Sequence, residues 1–133
     1  MLPALILSIA LATAAPQLSP AERDPFLRVL SAGAGAPGRI ACKDIDQAMQ
    51  MKKDGLSPDA KAPVAWAANA AQIKDYLAEG KLVVTGEAGL LAAGAGVAIV
   101  LEKGRPVILV HAKHVQASGV TLSDALLKIS RVK

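Results

Sequence analysis

Residues 96–111 limit the fold more than any other stretch. Two apolar runs, 97–101 and 106–110, flank Glu102-Lys103-Gly104-Arg105. Lys103-Gly104 reads as a two-residue hairpin turn, because glycine takes the positive φ such turns need. That register sets Glu102 opposite Arg105 as an opposite-charge cross-strand pair. Neither run alternates apolar with polar residues, so both sheet faces need cover, and helices supply it. Pro106 has no N–H to offer a third strand, so 106–110 is predicted to be an edge strand.

The rest of the chain supplies those helices. Asp24 followed by Pro25 is a helix start, with Phe26, Leu27 and Leu30 on its apolar face. Residues 33–38 form a loop, and Arg39-Ile40-Ala41-Cys42 a short strand. Asp44 caps a helix to Lys53 that turns Ile45, Ala48 and Met49 inward, and Gly55 ends it. Residues 56–63 are a proline-punctuated loop before the strand Val64-Ala65-Trp66-Ala67. Asn69 with Gln72 makes a capping box for a helix to Glu79, closed by Gly80. A buried strand at 81–85, a short helix at 87–93 and the hairpin follow. A helical turn at 112–118 stops at Gly119. Thr121 with Asp124 caps a last helix carrying Leu122, Leu126, Leu127 and Ile129. Strands alternating with helices give a three-layer α/β sandwich: a mostly parallel sheet with an antiparallel edge hairpin, 97–101/106–110.

Composition narrows the function. Apolar residues are 53% of 133, enough for one core, yet Phe26, Trp66 and Tyr76 are the only aromatics. The net charge of +4 is spread along the chain, without the stacking aromatics that nucleic-acid grooves use, so no nucleic-acid partner is expected. Residues 1–14 resemble a secretory signal peptide. The apolar stretch is shorter than the ~20 residues that span a bilayer, and Ala12-Thr13-Ala14 fits the small-x-small cleavage rule ahead of Pro16. Residues 15–24 then form a tether, and 25–133 a single domain without a transmembrane span, located in the periplasm or secreted. Amino-terminal sequencing of exported protein should show a start near Ala15, and an intact Met1 would contradict the cleavage. The lone Cys42 cannot form an internal disulfide, which leaves the core, or pairing between chains in a homo-oligomer, to supply stability.

Candidate sites are few. Gly33, Gly35 and Gly38 spell the dinucleotide glycine pattern, but a helix precedes it and a strand follows, the reverse of what phosphate binding needs. Gly86, just past a strand, is better placed, since α/β folds bind ligands at strand carboxyl ends. No P-loop lysine follows it, and Glu87 opposes a phosphate. His111 and His114 at i and i+3 could share a helix face toward a metal, but no third ligand is evident. Asp44, Asp46, Asp59, Asp75 and Asp124 sit where caps and solvated faces put carboxylates. No nucleophile elbow or zinc-protease motif occurs. No catalytic residue, metal or cofactor is expected.

Three stretches of the carboxyl part carry a family resemblance: Leu82-Val83-Val84-Thr85, the hairpin region 96–110, and Gly119-Val120-Thr121-Leu122-Ser123-Asp124-Ala125-Leu126-Leu127-Lys128-Ile129. Their order resembles the YfiR/HmsC-like family of bacterial periplasmic regulatory proteins across 80–132, about two-fifths of the chain. The amino half has one cysteine, where family members commonly have pairs. The resemblance implies a non-enzymatic exported regulator that acts by protein–protein contact. Its implied partner is a membrane-anchored signalling protein, such as a diguanylate cyclase that it restrains. The residues alone leave an alternative, a small-molecule-binding domain using strand carboxyl ends near Gly86.

Overall fold

The computed structural model describes residues 17–132, so the signal-peptide expectation lies outside the described residues. Its first helix, α1 (Pro20–Gly33), opens at Ser19 instead of Asp24. The Ser19 hydroxyl accepts the Glu22 N–H, and the Glu22 carboxylate accepts the Ser19 N–H at 3.4 Å. The cap-then-proline signature occurs twice, at Ser19-Pro20 and Asp24-Pro25, and only the first has a glutamate three residues on to complete the box. Residues 20–24 therefore belong to the helix and not to a tether. Pro25 sits inside the helix, where it lacks the N–H that would reach back one turn.

Strand β1 (Arg39–Cys42) follows, then α2 (Ile45–Lys53), capped by Asp44 through the Gln47 N–H. The helix presents a different face from the one expected. Ile45 is 75% exposed and Met49 59%, while Met51 is fully buried. Gln47 and Met51, one turn apart, face the core, and Gln47 meets a buried guanidinium that needs an acceptor. The expected loop at 56–63 contains a two-residue edge strand, β2 (Ser57–Pro58), parallel to β1. A proline is tolerated there because its missing donor faces away from the sheet.

β3 (Val64–Ala67), α3 (Ala70–Ala78) and β4 (Leu82–Thr85) form the next parallel unit. Asn69 accepts the Gln72 N–H at 2.9 Å, and the Gln72 side chain accepts the Ala68 N–H at 2.7 Å, so the box closes one residue early. A single 3-10 turn, Ala88–Leu91, leads to β5 (Val97–Glu102) and β6 (Arg105–Val110). Lys103 and Gly104 both have positive φ, 52° and 76°, as a primed hairpin turn requires. The pairing sets Glu102 against Arg105 and Leu101 against Pro106, as expected.

The carboxyl end corrects two expectations. After α4 (Ala112–Ser118), the last helix, α5 (Asp124–Lys128), has five residues and is capped by Ser123 instead of Thr121. The chain then extends into β7 (Ser130–Val132), which pairs in parallel with Ile108–Val110. The segment 106–110 is therefore not a sheet edge. The proline argument holds at Pro106 itself, which lies beyond the paired stretch, and does not reach 108–110. Glu102 takes Arg131 of β7 in a two-pronged ion pair at 2.8 and 3.1 Å.

The sheet order is β2-β1-β3-β4-β5-β6-β7, with β5–β6 the antiparallel pair. Strand alternation sorts the core into two layers. Val64, Trp66, Leu82, Val84, Val97, Ile99, Ile108 and Val110 face α1, α2, α4 and α5. Ala65, Ala67, Val83, Ala98 and Leu109 face α3 and the 3-10 turn. The uninterrupted apolar runs of the hairpin are thus covered on both sides, as their composition demands. No helix among the described residues is long and apolar enough to cross a membrane.

Candidate functional site

A cleft of about 120 Å³ opens where β3 and β4 reach their carboxyl ends, against Ile99 partway along β5. Leu18, Arg23, Gln47, Trp66, Gly86 and Ile99 line it. The chain runs from β1 outward to β2, then returns across β1 to β3 and continues to β4, so strand order reverses beside this place. Such reversals leave a crevice at the strand carboxyl ends, where open α/β sheets bind ligands. Gly86 is needed there for space: a Cβ would stand 3.2 Å from the Trp66 ring and 3.4 Å from the Gln17 side chain. At the rim, the Gln17 amide donates to a Glu87 carboxylate oxygen at 3.1 Å.

Arg23 is the centre of the site, at 4% exposure. Its Nε donates to Asp24 Oδ1 at 2.7 Å, and its Nη1 donates to Gln47 Oε1. The guanidinium lies 4.7 Å from the Trp66 ring centroid, a cation–π contact strengthened by desolvation. Nη2 is buried and has no hydrogen-bond partner among the described residues. A buried donor without an acceptor costs on the order of 1–3 kcal/mol, more for a charged group. Asp24 Oδ2, on the same ion pair, is likewise buried and without a partner among the described residues, and Arg23, Trp66 and Gln47 all line the cleft. Behind it, burial and the nearby Asp54 carboxyl push the Asp24 carboxyl up to about 6, against the opposing pull of Arg23.

Thr85 also stands at the cleft, and its hydroxyl is buried and unpartnered among the described residues. Strand alternation directs that side chain, like Val83, toward the α3 layer, so the hydroxyl is not counted among the cleft donors.

The other sequence candidates lie elsewhere. Gly33 ends α1 and Gly35 and Gly38 lie in the turn before β1, at its amino end, where the Gly38 N–H donates to Ser31 Oγ at 2.8 Å. His111 and His114 stack with ring centroids 3.7 Å apart. His111 Nδ1 caps α4 through the His114 N–H, and His114 Nδ1 lies 3.1 Å from the Ala95 carbonyl. No group of three metal-ligating side chains occurs among the described residues. Cys42 is half-buried, its Sγ 3.4 Å from the Asp44 carbonyl, and burial raises its thiol pKa. Asp59 accepts the Lys61 N–H at 2.9 Å and lies 3.5 Å from Arg39.

Sequence reasoning pointed to Gly86, counted Glu87 only as a charge opposing phosphate, and missed Arg23. The signal was present: Arg23, Leu27 and Leu30 recur at i, i+4 and i+7, one helical stripe. Starting the helix at Pro25 hid it.

No family model and no curated protein matches the chain. Two solved structures share its fold. One is a conserved domain protein from Vibrio cholerae O1 biovar El Tor strain N16961, at a TM-score of 0.67 and 9% identity, over 90% of this chain and 62% of that one. The other is the ABC domain in complex with L-Trp from Streptococcus pneumonia, at a TM-score of 0.60 and 12% identity, over 86% and 60%. The chain therefore spans about three-fifths of the length of each. These likenesses place the α/β fold, with its mostly parallel sheet, among known architectures.

Proposed function

We propose that the protein is a non-enzymatic binding module whose cleft at the carboxyl ends of β3 and β4 takes a small molecule. The observation that carries this reading is the cleft itself, lined by the buried Arg23 together with Trp66, Gln47 and Glu87. The placement at strand carboxyl ends supports the reading. So does the neighbour whose ABC domain was solved with L-Trp.

The test uses Trp66, the sole tryptophan, as its reporter. A panel of small metabolites is titrated against the full chain, and Trp66 emission and the melting temperature are followed. The expected result is saturable change in both with at least one compound. A panel that moves neither would sink the reading.

A second reading is the YfiR/HmsC-like regulator, exported and acting on a membrane-anchored signalling protein. What supports it is the order of features over 80–132, together with Leu127, Ile129 and Val132, which lie exposed beside α5 and β7. The two readings are compatible, because a ligand that binds one state of the module better shifts its affinity for a partner. A chain whose Trp66 no small molecule moves is left with the second alone.

A further inference from the structure

We infer that the outer edge of β7, with the apolar groove beside it, is a docking site for an acidic peptide in extended form, which adds to the sheet as a further strand. The inference does not rest on the cleft. It goes beyond that reading by naming a second surface and the chemistry of what it takes.

Three observations select that partner. The first is the edge. Among the described residues, β2 and β7 end the seven-stranded sheet. β2 is two residues long and contains Pro58, and short strands with proline are how sheets blunt an edge. β7 has no proline, and its one charge, Arg131, is held by Glu102. The N–H and C=O groups on its outer side are a template for another strand. The second is apolar surface. Leu127, Ile129 and Val132 are three of the seven large apolar residues exposed among the described residues, and they fall within six positions. Leu127 and Val132 border a groove of about 450 Å³ that Val110, Val115 and Leu122 also line. A strand laid along β7 sends every second side chain to the face Val132 occupies, beside this groove. The third is charge. The net charge reads as spread along the chain only until acidic residues are counted with basic ones. Residues 103–133 hold six lysines and arginines against Asp124 alone, whereas 1–102 hold nine against ten. Lys113 and Lys128 are exposed, each next in the chain to a groove residue, Ala112 and Leu127. A second copy paired through β7 would set Lys128 and Arg131 near the same residues across a two-fold axis, and like charges oppose that. A membrane surface leaves the strand edge unused, and α5, at five residues, is too short for an amphipathic helix that lies on lipid. An acidic peptide uses the edge, the groove and the charge together.

The experiment pans the full chain against a displayed library of short random peptides. Enriched sequences should carry Asp or Glu around alternating aliphatic residues. With the best of them as a synthetic peptide, amide hydrogen exchange should slow at residues 130–132. Methylating alternate backbone nitrogens of that peptide should weaken it about tenfold, through lost strand hydrogen bonds. The double substitution Lys113→Glu/Lys128→Glu, at two exposed sites, should weaken it by a similar factor, and panning the variant should enrich basic sequences instead. No enrichment, enrichment of basic peptides by the wild type, slowed exchange elsewhere than β7, indifference to the methyl groups, or an unchanged preference in the variant would each overturn the inference. Binding to phosphatidylglycerol vesicles in place of peptides would give the surface to a membrane, and a dimer in analytical ultracentrifugation would give it to a second copy. Either result sinks the peptide. Trp66 and Arg23 take no part in this test, so its failure leaves the cleft reading standing.

Discussion

Leu126→Ala should destabilise the domain by about 2–5 kcal/mol, the range for buried leucines cut to alanine, whereas Ile129→Ala should change it by no more than ~0.5 kcal/mol. Leu126 is 4% exposed and packs in one cluster with Val97, Ile99, Ile108, Val110 and Leu122. Ile129, three residues on, is 68% exposed. A five-residue helix cannot stand alone, since helix nucleation is unfavourable and short helices are marginal in water. Leu126 is therefore what docks α5 against the hairpin. It also anchors β7, which follows at Ser130, where Ser130 Oγ donates to the Leu126 carbonyl at 2.6 Å. Urea unfolding of the two variants measures the contrast. Equal, mild effects would mean that α5 is undocked and that β7 depends on something else.

The same pair shows what the sequence could and could not convey. Leu122 and Leu126 lie four apart and are both buried, so the apolar period was informative. It failed at Ile129 because a longer helix and a helix-then-strand ending share the same residues up to Lys128. What separates them is a tertiary event, the pairing of Ser130–Val132 with Ile108–Val110. The turn and register of the hairpin were legible, since turn chemistry and the two unbroken apolar runs act within sixteen consecutive positions, 96–111, but its place in the sheet was not, because β7 covers 108–110. The face of α2 was not. Ile45 and Met49 look like core residues by type, yet the buried guanidinium of Arg23 meets Gln47 and turns them to solvent. Polar burial of this kind depends on a partner 24 residues away, which local periodicity does not report.

The candidate site was half legible. Gly86 follows from the general rule that ligands meet α/β sheets at strand carboxyl ends. Arg23 required the right helix start. With α1 beginning at Pro20, a charged residue falls on the Leu27 and Leu30 stripe, and that conflict between residue type and position is what marks a functional site. Asp24, assigned as a cap, is instead the buried counter-charge.

Arg23→Met should be the most disruptive single change at the site, at about 3–5 kcal/mol at neutral pH, because it strands Asp24 as a buried charge. Asp24 can escape by taking a proton. Its carboxyl already stands at about 6 against an ordinary 3.8, so the folded state favours the protonated form. Stability from such a raised group is fully present below the unfolded value, near 3.8, and is lost as pH rises through the folded value. Removing Arg23 takes away the cation that holds the folded value down, so it climbs further and the loss extends to higher pH. The gap between wild type and variant should therefore be widest near pH 8 and should narrow by about 1–3 kcal/mol by pH 5, at about 1.36 kcal/mol per pKa unit. What remains at pH 5 reflects the lost Gln47 bond and the Trp66 contact. Asp54, whose carboxyl is held below its ordinary value by Asp24, Gln50 and Arg23, is part of the same coupled group, and groups far from the three cancel in the difference. The double variant Arg23→Met/Asp24→Asn removes the titrating group, so its gap to wild type should lack the component that grows with pH through Asp24 stranding. Urea unfolding of the three proteins at pH 5 and pH 8 decides the matter. A single-variant gap of equal size at both pH values would show that Asp24 is not the charge Arg23 neutralises, and the electrostatic account of the cleft would fall with it.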